Sequence, residues 1–149
     1  MDSLSGEITL EFVLNRGQVP RDEEIRTRNL KVLAEIEGQL TVVTNEGVLF
    51  REDGVLLLEF GIDLSRWLDK CKRGQGRDFE YVTMDHDSEP ILLFLQCEEN
   101  IFLIDSPWRL LESGVEVGAV ALVNSVETFL HALRDSLSRN LGVDLRNYI

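Results

Sequence analysis

The apolar residues of this chain follow two different spacings, and the points at which the spacing changes limit how the chain can fold. Across residues 7–14, Ile8, Leu10 and Phe12 alternate with polar residues, which is typical of a strand with one buried face. Across residues 54–70, the apolar residues recur every three or four positions, which indicates an amphipathic helix. The sequence therefore predicts a fold that mixes strands and helices.

The same two spacings continue along the chain. Alternation over residues 30–50, a hairpin turn of about three residues at Asn45-Glu46-Gly47, and alternation from Phe79 predict further strands. Residues 91–96 are apolar on both faces, which favours the middle of a sheet, whereas residues 115–141 return to helical spacing. Asp53 is expected to cap the first helix.

Short turns between successive strands favour antiparallel pairing. We therefore expect an α+β fold, in which an antiparallel meander sheet of about six or seven strands packs against a mid-chain helix and a long C-terminal helix. No repeat or shift in composition marks a boundary, so a single domain over residues 1–149 is expected.

The charge balance is the unusual part of the composition. The chain has 27 Asp and Glu against 15 Lys and Arg, a net charge of −12. Nucleic-acid backbones and anionic membranes are bound through clustered cations, so neither is expected as a direct partner. A basic protein is the natural complement, because a focused negative potential speeds encounter with a cationic surface.

The acids are concentrated in one stretch. Residues 78–108 contain eight acidic residues and no Lys or Arg. In a meander, one loop would carry three of these acids, the next turn would carry two at the opposite end of the central strand, and the end of the following strand would return to the first side. We consider as partner-binding candidates the acids of these loops, two acids that join them if the sheet order allows, and one aromatic residue: Asp85, Asp87, Glu89, Glu98, Glu99, Asp105, Glu52, Asp53 and Trp108.

No set of residues has the spacing of a catalytic, metal or cofactor site. His86 lies between two aspartates without the ligand spacing of a metal site, and His131 falls within the long helix. Gly74-Gln75-Gly76 lacks the third glycine of a phosphate loop, and the basic residues around it are interpreted as a flexible connection after the helix. We expect no cofactor, no metal and no enzymatic activity.

The beginning of the chain lacks the basic and apolar segments of a signal peptide. The densest apolar run, residues 55–60, is far shorter than the roughly 20 residues of a membrane span. A cytoplasmic location is therefore expected.

The order of several short features resembles small acidic bacterial proteins of immunity type, which neutralise toxins. The features are Gly38-x-Leu40, Glu52 before a helix that ends in Trp67-Leu68, Phe79-x-Tyr81, Glu89-Pro90-Ile91-Leu92 and Ser106-Pro107-Trp108. The resemblance implies a cytoplasmic antitoxin or immunity role, and the acidic charge adds the expectation that the partner is a basic toxin such as a nuclease.

Three functions remain open at this point. The first is a binding protein that covers the cationic site of a basic partner with acidic loops. The second is an enzyme or small-molecule binder with a pocket between sheet and helix, which would use Tyr81, His86 or Trp108. The third is a DNA mimic, in which regularly spaced carboxylates imitate phosphates.

Overall fold

Seven antiparallel strands form two sheets in the computed structural model, which describes residues 7–15, 35–75, 77–83 and 89–148. In the first sheet the strands lie in the order β1-β2-β3, and in the second they lie in the order β4-β5-β6-β7. The strands are β1 (Ile8–Leu14), β2 (Glu37–Thr44), β3 (Gly47–Leu56), β4 (Phe79–Tyr81), β5 (Leu92–Glu98), β6 (Ile101–Asp105) and β7 (Val115–Gly118).

Two helices pack against both sheets. Helix α1 (Leu57–Lys72) joins the sheets and contacts β2, β3 and β4, whereas helix α2 (Ala119–Leu141) contacts β1, β6, β7 and α1. A short 3₁₀ helix (Leu145–Tyr148) follows α2 and packs on both helices. The α+β class, the antiparallel pairing, the mid-chain helix and the long C-terminal helix are therefore confirmed.

Aromatic rings connect the helices to both sheets in the core. Phe60 of α1 meets Phe79, Tyr81 and Phe129 edge-on, with ring centroids 5.0 to 6.0 Å apart. Phe129 of α2 in turn meets Phe12 of β1 at 5.6 Å. Edge-to-face pairs of this kind stabilise a core by about 0.5–1.5 kcal/mol each beyond the burial of their area. One hydrophobic cluster thus contains residues of both sheets and both helices.

The first helix begins at Leu57 and not at the predicted Gly54. Residues 54–56 continue β3, because Val55 and Leu56 pair with Gly38 and Glu37 of β2. The prediction that Asp53 caps the helix is wrong: the N-cap is Leu56, without a side-chain cap, and the Leu57 N–H donates to the Ile36 carbonyl at 2.9 Å. Pairing with β2 satisfies the backbone groups that a helix start would have left open.

The last helix also begins later than predicted. Val115–Gly118 forms β7, with Val115 and Val117 buried and Glu116 exposed, and it pairs with β6. At the other boundary, α1 extends two residues beyond the predicted end at Lys70, so Lys72 of the predicted flexible connection is helical. At both boundaries the short segment is compatible with a helix and with another conformation. Its contacts with neighbouring elements determine which one forms.

The turn between β2 and β3 has two residues, Asn45 and Glu46, and not the predicted three, because Gly47 already belongs to β3 and pairs with Thr44. The Thr44 hydroxyl braces this turn, since it accepts from the Glu46 N–H and lies 3.1 Å from the Gly47 carbonyl oxygen. β5, which contains most of the predicted central strand, lies between β4 and β6. The alternation predicted for residues 30–34 and the loop at residues 85–88 lie outside the described residues.

Candidate functional site

A small cleft lies where the end of β3 meets the end of β4 and the segment after β6. Its described walls are formed by two acids, two hydroxyl-bearing residues and mainly apolar neighbours: Glu52, Asp53, Gly54, Val55, Tyr81, Thr83, Ile91 and Trp108. We call it the acidic cleft. Its volume is about 50 Å³, which suits the tip of one side chain.

A β-bulge turns the two acids toward this cleft. Gly38 and Leu40 of β2 pair with Val55 and Glu52, so Asp53 and Gly54 together lie opposite a single residue of β2. Gly54 has φ of 71°, a left-handed conformation that favours glycine. Gln39 donates from Nε2 to Asp53 Oδ1 at 3.0 Å and orients that carboxylate. Bulges commonly redirect side chains in this way.

A buried serine holds Trp108 at the opposite wall. The Ser106 hydroxyl donates to the Ile91 carbonyl oxygen at 2.7 Å and accepts from the Trp108 N–H at 2.9 Å. The Ser106 N–H donates to Asp105 Oδ1 at 2.8 Å. Trp108 is half-buried and packs against the hydrophobic core. The turn after β6 thus presents Trp108 in one position.

Tyr81 forms the floor of the acidic cleft. Its side chain is fully buried, and its hydroxyl donates to Glu59 Oε1 of α1 at 2.7 Å. Burial raises the pKa of Tyr81 above its ordinary value, and the nearby charge of Glu59 acts in the same direction. The pKa of Asp63, one turn further along α1, is also raised, first by burial and then by the negative charge of Glu59. Tyr81 therefore remains a protonated hydrogen-bond donor at neutral pH.

The structure brings three of the predicted partner-binding residues together, since Glu52, Asp53 and Trp108 line the acidic cleft. Glu89 is exposed and lies two residues before Ile91 of the same cleft. Asp85 and Asp87 lie outside the described residues, as does His86.

The remaining predicted acids differ in their surroundings. Asp105 is half-buried and pairs with Arg109 at 3.2 Å, so its charge is compensated. Glu98 and Glu99 are exposed at the turn between β5 and β6. Because β5 separates this turn from the acidic cleft, the two groups of acids lie roughly 20 Å apart. They form two surfaces and not one patch.

A second cavity, which the sequence interpretation missed, lies between the C-terminal half of α1 and the middle of α2. It is an open groove of about 730 Å³. We call it the basic groove, because five Lys and Arg residues and one His line it beside two acids and four other residues: Arg66, Lys70, Lys72, Arg73, Arg134, His131, Asp69, Glu127, Ser65, Leu68, Gln75 and Leu130.

The sequence contains a signal for this groove in both helices. Arg66, Lys70 and Arg73 follow one another at spacings of four and three, which aligns them on one face of α1. His131 and Arg134 of α2 are also three residues apart. Each stripe by itself is typical of a solvated helix face, and the packing of α1 against α2 is what joins them.

Among residues 7–15, 35–75, 77–83 and 89–148, no three His, Cys, Asp or Glu side chains are arranged to hold a metal ion. Cys71 and Cys97 are both free, and burial raises the pKa of the Cys71 thiol. No helix in these same ranges is long and apolar enough to cross a membrane.

The described residues form a small α+β fold with an acidic cleft at one sheet edge and a basic groove between its helices. The chain belongs to the family described as "Domain of unknown function (DUF7878)", whose model matches residues 10–139. No curated protein and no solved structure matches the chain.

Proposed function

We propose that this protein is a binding domain that receives a cationic segment of a partner protein at the acidic cleft. The observation that carries the proposal is the convergence of Glu52 and Asp53 with Trp108, more than fifty residues away in the chain, on one cleft. Carboxylates beside an indole are suited to a Lys or Arg side chain, since the carboxylates pair with its charge and the ring face attracts cations.

The charges around the acidic cleft support this occupant. Within the described part of the chain, Glu52, Asp53 and Glu89 form no ion pair with Lys or Arg, whereas Asp105 does. Carboxylates without a bound cation keep their full attraction for an incoming one. The net charge of −12 adds attraction for a basic surface at low ionic strength, where screening by salt is weak.

The size of the acidic cleft favours a protein partner over a small molecule. Pockets that bind drug-sized ligands usually measure about 300–1,000 Å³. The described walls of the acidic cleft enclose about 50 Å³, and the Tyr81 hydroxyl on its floor is already bonded to Glu59. A single cationic side chain from a partner is the better match in both volume and charge.

The finer proposal follows from the resemblance to immunity-type proteins: the partner is a basic toxin, such as a nuclease, and binding neutralises it. Such an inhibitor forms a stoichiometric complex whose association is fast at low ionic strength. Adjacent genes commonly encode the two members of such pairs, so the neighbouring gene product is the first protein to purify and test.

Two charge-reversal variants of equal net charge test the proposal. Glu52→Lys/Asp53→Lys alters the acidic cleft, and the control Glu98→Lys/Glu99→Lys makes the same change in charge at the β5–β6 turn, where both residues are exposed. The partner is recovered from the native host on the immobilised wild-type chain, purified, and its association rate is measured with each variant by surface plasmon resonance.

We expect the acidic-cleft variant to associate at least about tenfold more slowly and the control to retain most of the wild-type rate, because steering is local at physiological salt. Raising NaCl from about 50 mM to about 500 mM should slow wild-type association for the same reason. Equal losses in both variants, or an affinity that does not change with salt, would contradict the proposal.

A further inference from the structure

The basic groove is a local excess of positive charge on a strongly acidic protein. Five Lys and Arg residues line it with only two acids, a local net charge of +3, although the whole chain carries −12. These five are half of the ten Lys and Arg residues that the described ranges contain. Like charges repel when they are brought together, so a complementary anion would stabilise this arrangement.

Internal ion pairs neutralise only part of this charge. Lys72 pairs with Glu127 at 2.6 Å, and Arg73 pairs with Asp69 at 2.9 Å, which accounts for both acids of the groove. Within the described residues, Arg66, Lys70 and Arg134 form no ion pair. The charges of Asp63 and Asp144 act on Arg66 and Arg134 at longer range only. Three cations from two different helices therefore have no direct carboxylate partner among the described residues.

Two buried polar atoms of groove-lining residues also lack a partner. Ser65 Oγ and Arg134 Nε are inaccessible to solvent and form no hydrogen bond within the described part of the chain. Buried polar groups in native proteins are nearly always paired, and each exception calls for an explanation. Neither atom is reached by solvent in this conformation, so an anion in the groove would accept from them only after their side chains rotate toward it.

The form of the donors favours phosphate. Guanidinium groups bind phosphate through two parallel N–H bonds, and Arg66 and Arg134 offer such groups from facing helices. Ser65 of α1 and the exposed ring of His131 of α2 place further polar side chains on the two walls of the groove. A volume of about 730 Å³ lies in the usual range for small organic ligands.

The overall charge indicates the size of the ligand. The net charge of −12 repels nucleic acids and anionic membranes, because these large anions approach the acidic surface around the groove as well as the groove itself. A small anion can enter between the helices and interact mainly with the nearby cations, because screening confines electrostatic interactions to roughly 10 Å. We infer that the basic groove binds a small organic phosphate that carries at least two phosphoryl oxygens able to bridge α1 and α2.

This site is independent of the acidic cleft. Tyr81 on the floor of the cleft contacts Glu59 in the first turn of α1, whereas the groove is lined by residues 65–75 and by α2. Binding at the groove can therefore be tested without the protein partner, and failure of either proposal leaves the other unaffected.

The experiment titrates the full chain with inorganic pyrophosphate, followed by calorimetry and by the NMR signals of the His131 ring. Variants Arg134→Gln and Arg66→Gln remove single groove cations. Arg139→Gln is the matched control, since Arg139 lies on α2, is 78% exposed and pairs with Asp135 outside the groove. Lys70→Gln serves as a second groove variant at an exposed position, in case Arg134→Gln is unstable.

We expect saturable binding of pyrophosphate that shifts the His131 signals and weakens roughly tenfold in each groove variant, because each loses a charge-assisted hydrogen bond or its charge. Arg139→Gln should bind as the wild type does. Citrate and vesicles of phosphatidylcholine with phosphatidic acid distinguish the source of the anion, and both should bind more weakly than pyrophosphate. No binding of pyrophosphate, equal loss in Arg139→Gln, or stronger binding of citrate or vesicles would overturn the inference.

Discussion

The Tyr81 hydroxyl donates a hydrogen bond of 2.7 Å to Glu59 Oε1, which ties the second sheet to the first turn of helix α1 beneath the acidic cleft. Tyr81 is fully buried and also packs edge-on against Phe60 at 5.0 Å. The same side chain therefore supports the core and sets the floor of the cleft.

Replacing Tyr81 with Phe should keep the ring packing and remove this hydrogen bond. Because the Glu59 carboxylate loses the hydrogen bond from Tyr81, we expect the free energy of unfolding to fall by about 1–3 kcal/mol, measured by urea denaturation. In the background Glu59→Gln the same substitution should cost less, since the pair is already weakened. A Tyr81→Phe variant as stable as the wild type would show that the bond contributes nothing.

The raised pKa of Tyr81 predicts a loss of stability in alkali. The folded state holds the phenol proton above the ordinary tyrosine pKa of about 10, whereas the unfolded chain releases it there. The stabilisation is therefore complete below about pH 10 and declines as pH rises further. Tyr81→Phe should flatten this decline in denaturation midpoints recorded from pH 8 to pH 11, and an unchanged slope would contradict the assignment.

Asp63 should limit stability at neutral pH. Burial and the charge of Glu59 raise its folded pKa, so its carboxylate is less favourable in the folded state than in the unfolded chain above an unfolded pKa of about 3.9. We expect Asp63→Asn to raise the denaturation midpoint at pH 7, with the difference shrinking as pH falls toward 3. The control Asp69→Asn removes the exposed pair with Arg73 and should not raise stability.

Gly38 should tolerate no side chain. A Cβ at this position would clash with the Val13 carbonyl oxygen and with the Leu57 side chain. The Val13 carbonyl belongs to the backbone of β1, so it cannot move without disturbing that strand. We expect Gly38→Ala to reduce the free energy of unfolding by about 3 kcal/mol. Gly74→Ala is the control, because nothing lies within 4 Å there and only its φ of 75° is strained, at about 1 kcal/mol. Equal losses in the two variants would argue against the clash.

Ser106 should control the position of Trp108. Removal of its hydroxyl in Ser106→Ala leaves the Ile91 carbonyl and the Trp108 N–H without their partner, at a cost of about 1–3 kcal/mol. The indole NMR signal of Trp108 should move, while that of Trp67, which donates to the Arg77 carbonyl, should stay. Ser138→Ala, at an exposed position on α2, should change neither. An unmoved Trp108 signal would mean that other contacts hold the ring.

The spacing of apolar residues was sufficient to predict most elements because each has a single buried face. β1 alternates as its sequence does, and in α2 the buried Phe129, Leu133 and Leu137 recur at helical intervals. The errors fell at Val55 and Val115, which fit the start of a helix as well as the end of a strand. Pairing with β2 and β6 decided those cases, and strand pairing is a long-range interaction that local spacing does not contain.

The acidic cleft was only partly foreseen. Sequence reasoning named Glu52, Asp53 and Trp108 as candidates but could not bring them together, since that depends on the bulge in β3 and on the packing of the two sheets. The count of acids over residues 78–108 also included Asp105, although Arg109, four residues further along the chain, pairs with it.

By itself, the sequence determined the α+β class, the buried faces of the strands and helices, and the strong acidic charge, because periodicity and composition are local properties. The tertiary structure alone decided which local features meet. It separated the strands into two sheets, gathered acids and Trp108 at one edge, and joined Arg66 and Arg134 across two helices into the basic groove. These residues come together because the strands and helices bury one shared hydrophobic core. Burial of that core determines how whole elements pack, and the positions of single surface residues follow from it.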